Sequence, residues 1–144
     1  LVEDNYIYIY WLGGEKEKNE ILKQFEGKRI VDISLRHGEP LCSIGDWLSY
    51  IRYADIVITD SFHGMCMAII FEKQFIVINN STRGSTRFYS LLKLLNLEGR
   101  LFDSVEDYYN KEQQIGEINY KYINKIIETE KEKSMNWLQQ QIRI

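Results

Sequence analysis

The chain has 144 residues, 44% of them hydrophobic and 27% charged, with a formal net charge of −3. That composition fits one globular domain with its own core and excludes a disordered or low-complexity chain. A mildly acidic chain without a basic block is not built as a general nucleic-acid binder, and no apolar run approaches the ~20 residues a membrane-spanning helix needs.

Strand-like and helix-like segments alternate along the chain, which predicts an α/β domain with a mainly parallel sheet. Tyr6 to Tyr10 is aromatic and β-branched and predicts a first strand, ended by Gly13-Gly14. Lys16 to Phe25 places Ile21, Leu22 and Phe25 at helical spacing, with Gly27 as a stop. The acidic stretch Glu15 to Glu20 is expected to be a solvated face. Arg29 to Ile33 is the second predicted strand, followed by a loop with Gly38 and Pro40.

Ser43-Ile-Gly-Asp46 fits a capping box opening a helix with Trp47, Leu48 and Ile51 facing inward. Ala54 to Thr59 is a third strand, apolar enough for burial on both faces. His63 to Phe71 reads as a helix, Gln74 to Ile78 as a fourth strand, Asn79 to Ser85 as a polar loop and Thr86 to Leu95 as a helix. Leu101-Phe102 is a short fifth strand and Tyr120 to Ile142 a long final helix, with Glu128 to Lys133 solvated. Val105 to Glu117 has no clear pattern.

The only cysteines, Cys42 and Cys66, match no zinc or CxxC spacing and are expected to be reduced thiols in a cytosolic protein. With His37 and His63 the only histidines, no metal site is expected.

Two motifs carry candidate chemistry. Thr59-Asp60-Ser61-Phe62-His63-Gly64 lies where a buried strand gives way to a helix. Ligands of open α/β sheets bind at the carboxyl ends of strands, and a helix N-terminus attracts anions. Gly64 is expected to admit a ligand close to the backbone, and His63 to hold a phosphate or donate a proton. The plainer reading makes Asp60 or Ser61 an N-cap and His63 an ordinary helix residue.

Asn79-Asn80-Ser-Thr-Arg83-Gly84-Ser-Thr-Arg87 follows the next strand. Two arginines around a glycine suit an anion with several oxygens; the plainer reading is a polar surface loop. The donor-binding candidates are therefore Asp60, Ser61, Gly64, Asn80, Arg83, Gly84 and Arg87, with His63 the catalytic candidate. Arg36-His37-Gly38-Glu39 is a weaker candidate for the same rim.

From Ala54 to Gly64, through Ile69 to Phe75, and again at Arg83-Gly84, Arg87-Phe88, Ser90-Leu-Leu92 and Leu97 to Arg100, the sequence resembles the polysaccharide pyruvyl transferase family. The resemblance implies a two-domain fold of the glycosyltransferase B type, of which this chain is the C-terminal, Rossmann-like, donor-binding half. Residues 1–144 then form a single domain, and the acceptor domain is missing. It implies a bacterial enzyme of exopolysaccharide or cell-surface polysaccharide synthesis. Phosphoenolpyruvate is the donor, a sugar hydroxyl pair the acceptor and a pyruvate ketal the product. No metal or separate cofactor is implied. The expected location is cytoplasmic, peripheral at most to the inner face of the membrane. The fragment alone is expected to be inactive.

Two other functions stay open at this point: a nucleotide-sugar glycosyltransferase of the same fold, and a non-catalytic α/β binding module.

Overall fold

The computed structural model describes residues 5–33, 42–80 and 84–142. Five parallel strands form one sheet in the order β2-β1-β3-β4-β5. They are β1 (Ile7–Tyr10), β2 (Ile30–Asp32), β3 (Ile56–Thr59), β4 (Gln74–Ile78) and β5 (Leu101–Phe102). Six α-helices are described: α1 (Glu15–Leu22), α2 (Ile44–Arg52), α3 (Phe62–Ile70), α4 (Thr86–Leu94), α5 (Val105–Lys111) and α6 (Tyr120–Ile142). The α/β class and the parallel sheet expected from the alternation are present.

The helices cover both faces, as a parallel sheet requires. On one face Tyr6, Tyr8, Val57, Phe75 and Val77 pack against α2, α3, α4 and the start of α6. On the other, Ile7, Ile9, Ile58, Ile76 and Ile78 pack against Ile21 of α1 and Val105 and Tyr108 of α5. Alternate residues of each strand thus feed two separate cores. Each fully buried aliphatic side chain contributes roughly 1.5–3 kcal/mol. The tyrosine-rich first strand is core: Tyr6 and Tyr8 are buried.

The capping box holds. Ser43 Oγ accepts from the Asp46 N–H at 3.0 Å, and the Asp46 carboxylate accepts from the Ser43 N–H at 3.0 Å. Of the three residues expected inward from α2, Ile51 is fully buried while Trp47 and Leu48 are half-buried. The segment without a clear pattern contains α5, opened by Ser104, whose side chain accepts from the Asp107 N–H.

One expectation is corrected here. Glu15 to Glu20 is not wholly a solvated face, because Lys18 is buried. Its Nζ reaches the Glu15 carboxylate at 2.7 Å and the Asp32 carboxylate at 2.9 Å. A buried ammonium needs such partners. Burial pushes its pKa down, and the hydrogen bonds to Glu15 and Asp32 together with the attraction of their charges raise it overall.

Arg100 is a second buried cation. It donates to the Phe75 carbonyl at 3.2 Å, to Gln74 Oε1 at 2.9 Å and to the Gly116 carbonyl, fastening the segment before α6 to β4. Helix α6 rests on the body through Tyr120 and Ile123, with Ile126 and Ile127 half-buried. Its distal part stands clear, exposing Met135, Trp137, Leu138 and Ile142.

Tyr8, Tyr108 and Tyr120 hold their protons beyond the usual phenol range, burial being the leading cause; Tyr108 is pushed up to about 12. A folded-state pKa above the unfolded value means stability that is full below about pH 10 and lost as pH rises through the folded values. Each of these tyrosines should contribute a loss of up to ~1.4 kcal/mol per pH unit there, read from urea unfolding across the alkaline range. The Tyr8 hydroxyl is buried without a partner. Tyr8→Phe should therefore unfold at the same or slightly higher urea concentration at neutral pH, by up to ~1 kcal/mol, and show a shallower alkaline decline.

Candidate functional site

The carboxyl edge of the sheet is organised by one carboxylate. Asp60 follows β3 and is only 3% exposed. Its Oδ1 accepts from the Leu12 N–H, after β1, at 2.8 Å. Its Oδ2 accepts from the Asn80 side-chain amide, after β4, at 3.0 Å. Three strand-end loops are thereby pinned to one side chain. Hydrogen bonds to a charged acceptor are the strong kind, about 1.5–3 kcal/mol each.

The α3 N-terminus stands beside this latch. Ser61 is its N-cap and accepts from the Gly64 N–H at 3.4 Å, while its own N–H donates to Thr59 Oγ1 at 3.0 Å. Thr59 in turn donates to the Tyr10 carbonyl at 2.6 Å. The N-cap reading of Ser61 is thus realised. Gly64 has a different reason from the one expected. It is buried, and a Cβ there would lie 2.6 Å from Thr59 Oγ1 and 3.2 Å from Tyr10 Cδ1. Glycine is needed there so that α3 can lie against β3 and β1.

His63 is exposed in the first turn of α3. The Phe62 ring lies 6.2 Å from the His63 ring and 5.1 Å from the Arg87 guanidinium, and it meets Phe88 edge-on at 5.8 Å. Arg87 also holds the Cys66 thiol pKa down against the larger upward push of burial. The two sequence motifs therefore do meet, once through Asp60 and Asn80 and once through Phe62 and Arg87. Gly84 sits in the left-handed region at φ 86° and is exposed. Arg83, Arg36, His37, Gly38 and Glu39 lie outside the described residues.

A cleft of about 490 Å³ opens at the same edge, over the other face of the sheet. It runs from Trp11, Gly13 and Gly14 past Asp60, Asn79 and Asn80 to Asp103 and Ser104, with Glu17 and Glu20 on α1 and Glu106 on α5. Among the predicted site residues described, only Asp60 and Asn80 line it; His63 and Arg87 do not. Sequence reasoning missed this cleft because four different strand ends build it. Among the described residues no group of three or more His, Cys, Asp or Glu side chains is arranged to hold a metal ion, and no described helix is long and apolar enough to cross a membrane.

A family model for polysaccharide pyruvyl transferases matches residues 2–82, more than half of the chain. The chain belongs to the polysaccharide pyruvyl transferase family. The match covers the N-terminal part of this sequence. It takes in the whole Asp60–Gly64 motif and stops before Arg83. The transferase family thus accounts for β1 through the loop after β4, including both residues of the Asp60–Asn80 latch. No curated protein and no solved structure shows a significant match.

Two substitutions separate architecture from chemistry. Gly64→Ala should destabilise the fold by about 1–3 kcal/mol, because Thr59 and Tyr10 are backed by the sheet. Asp60→Ala should cost about 2–4 kcal/mol. Hydrogen exchange at the Leu12 amide should accelerate in Asp60→Ala more than in Gly64→Ala.

Proposed function

We propose that this chain is the donor-binding half of a pyruvyl transferase that takes phosphoenolpyruvate as donor and a sugar hydroxyl pair as acceptor. It would act in polysaccharide synthesis on the cytoplasmic side of a bacterial membrane, as the C-terminal half of a two-domain fold of the glycosyltransferase B type. Family membership supports the reaction class. The observation that carries the donor assignment is that the Phe62 ring lies near both His63, in the first turn of α3, at 6.2 Å between ring centres and the Arg87 guanidinium at 5.1 Å.

Phosphoenolpyruvate presents a phosphate and a carboxylate, and a helix N-terminus with nearby cations is suited to such a dianion. In the proposed reaction His63 delivers a proton to the methylene carbon, which becomes the ketal methyl. One sugar hydroxyl adds to the central carbon and the second displaces phosphate from it. The two hydroxyl protons are balanced by the new C–H bond and by the proton that leaves with phosphate. Arg87, with Arg83 from the same motif, would neutralise the departing phosphate. Asp60 positions this apparatus and does not touch the donor, since a carboxylate beside a dianion would repel it.

Catalysis further requires an acceptor held in near-attack geometry, a contribution of roughly 7–11 kcal/mol in favourable cases. The chain alone is therefore expected to bind the donor weakly and to release no phosphate with candidate glycans. Phosphoenolpyruvate titrated at low salt should shift the amides of Phe62, His63, Gly64 and Gly84 in an NMR spectrum. Arg87→Ala should weaken binding by about 10- to 100-fold, the loss of a charge-assisted contact. A UDP-sugar that shifts these amides while phosphoenolpyruvate does not would instead favour the nucleotide-sugar transferase.

A further inference from the structure

The two groups given chemistry in the donor site sit beside two phenylalanines that the sequence did not single out. His63 follows Phe62 in the first turn of α3, and Arg87 precedes Phe88 in the first turn of α4. The phenylalanines meet edge-on, with ring centres 5.8 Å apart. Phe88 is only 2% exposed, and Phe62 is half-buried against the core cluster that contains Phe88. Edge-to-face packing is a preferred geometry for such rings. It ties the start of α4 to the start of α3 independently of the Asp60–Asn80 contact.

Phe62 does more than join the two helices. Its ring also takes the Arg87 guanidinium at 5.1 Å, inside the ~6 Å range of a cation–π contact. Arg87 is exposed, and a long exposed side chain otherwise samples many rotamers. The attraction to the ring needs no hydrogen bond. It therefore does not compete with the N–H fork by which arginine meets carboxylate and phosphate oxygens. Cys66, one turn further along α3, reports the same placement, because the Arg87 charge acts on its thiol.

We infer that Phe62 is a positioning residue of the donor site: its ring holds the Arg87 guanidinium beside the first turn of α3, preset for an anion with several oxygens. Phe62 acts through Arg87 and not on the donor itself. It lowers the cost of binding, because Arg87 surrenders less rotamer freedom when phosphoenolpyruvate arrives. An aliphatic residue of similar bulk would fill the core and lack the negative ring face that attracts a cation. The role in donor binding rests on the phosphoenolpyruvate reading, whereas the hold on Arg87 does not.

The test compares the unmodified chain with Phe62→Leu and Phe62→Tyr by NMR at low salt. In the unmodified chain the ring should shift the Arg87 side-chain protons upfield. That shift should vanish in Phe62→Leu and persist in Phe62→Tyr. Phosphoenolpyruvate should bind Phe62→Leu about 2- to 5-fold more weakly, the size of an exposed cation–π contact. Phe62→Tyr should recover most of that loss. Hydrogen exchange at the Leu12 amide should stay unchanged in both variants, because the Asp60 latch is not involved. If Phe62→Leu does not fold, Phe62→Met makes the same comparison. Equal donor affinity in Phe62→Leu and the unmodified chain would overturn the inference alone, as would the absence of the Arg87 ring shift. A loss of affinity accompanied by faster Leu12 exchange would mean general loosening and would overturn it as well. A ring shift at Arg87 with no phosphoenolpyruvate response at any α3 amide would overturn the donor reading, and the donor role of Phe62 with it.

Discussion

The Asp60 carboxylate is the constraint on which the functional edge depends. A charge at 3% exposure is tolerated only when its oxygens are satisfied, and here the Leu12 amide and the Asn80 side chain do so. Those partners come from the ends of β1 and β4, the two strands flanking β3. The local demand of one buried anion thus sets the relative placement of three loops. The proposed donor region is built on those loops, so its geometry follows from that demand.

The packing beneath supplies the rigidity. Thr59 is fixed to Tyr10 by its hydroxyl, Ser61 is fixed to Thr59, and Gly64 brings α3 into contact with both. The chain of contacts runs from β1 through β3 into the first turn of the helix. That makes the His63 backbone part of the sheet's rigid frame, while its side chain stays exposed. Catalytic groups on α/β folds are useful in this arrangement, because the scaffold fixes position and the side chain keeps access.

Much of the fold was legible because its signals are local. Gln74–Ile78 and Tyr120–Ile142 were delimited as they stand, and the Ser43–Asp46 box was read from two residues at the right spacing. Lys18 was misread because a charge run on a helix usually faces water, and nothing near it in sequence announces that Asp32 lies within 2.9 Å. Helix α5 escaped notice because seven residues give too few turns for a periodic pattern, though Ser104 and Asp107 carried the cap signal. Gly64 stood out in the sequence, and the structure adds a packing requirement that the sequence did not show. A sequence shows that a side chain is absent but not whether a strand or a ligand occupies the space. The acidic cleft was illegible for a deeper reason. Its residues span Trp11 to Glu106, and only the strand order brings them together.

The projection of α6 gives the molecule an uneven resistance to local opening. The helix begins where Tyr120 donates to the Lys73 carbonyl, so its first turns are tied to the body. Beyond Ile127 it depends on its own hydrogen bonds and on exposed pairs such as Lys131–Glu128 and Lys133–Glu130, each i,i+3. Such pairs add only ~0.2–0.5 kcal/mol, and a segment of that length is marginal as an isolated helix in water. Protection therefore declines along α6 from base to tip, and the tip opens many times for each unfolding of the sheet. The chain thus joins a cooperative body to a terminal arm whose helicity is governed by salt, temperature and whatever it touches.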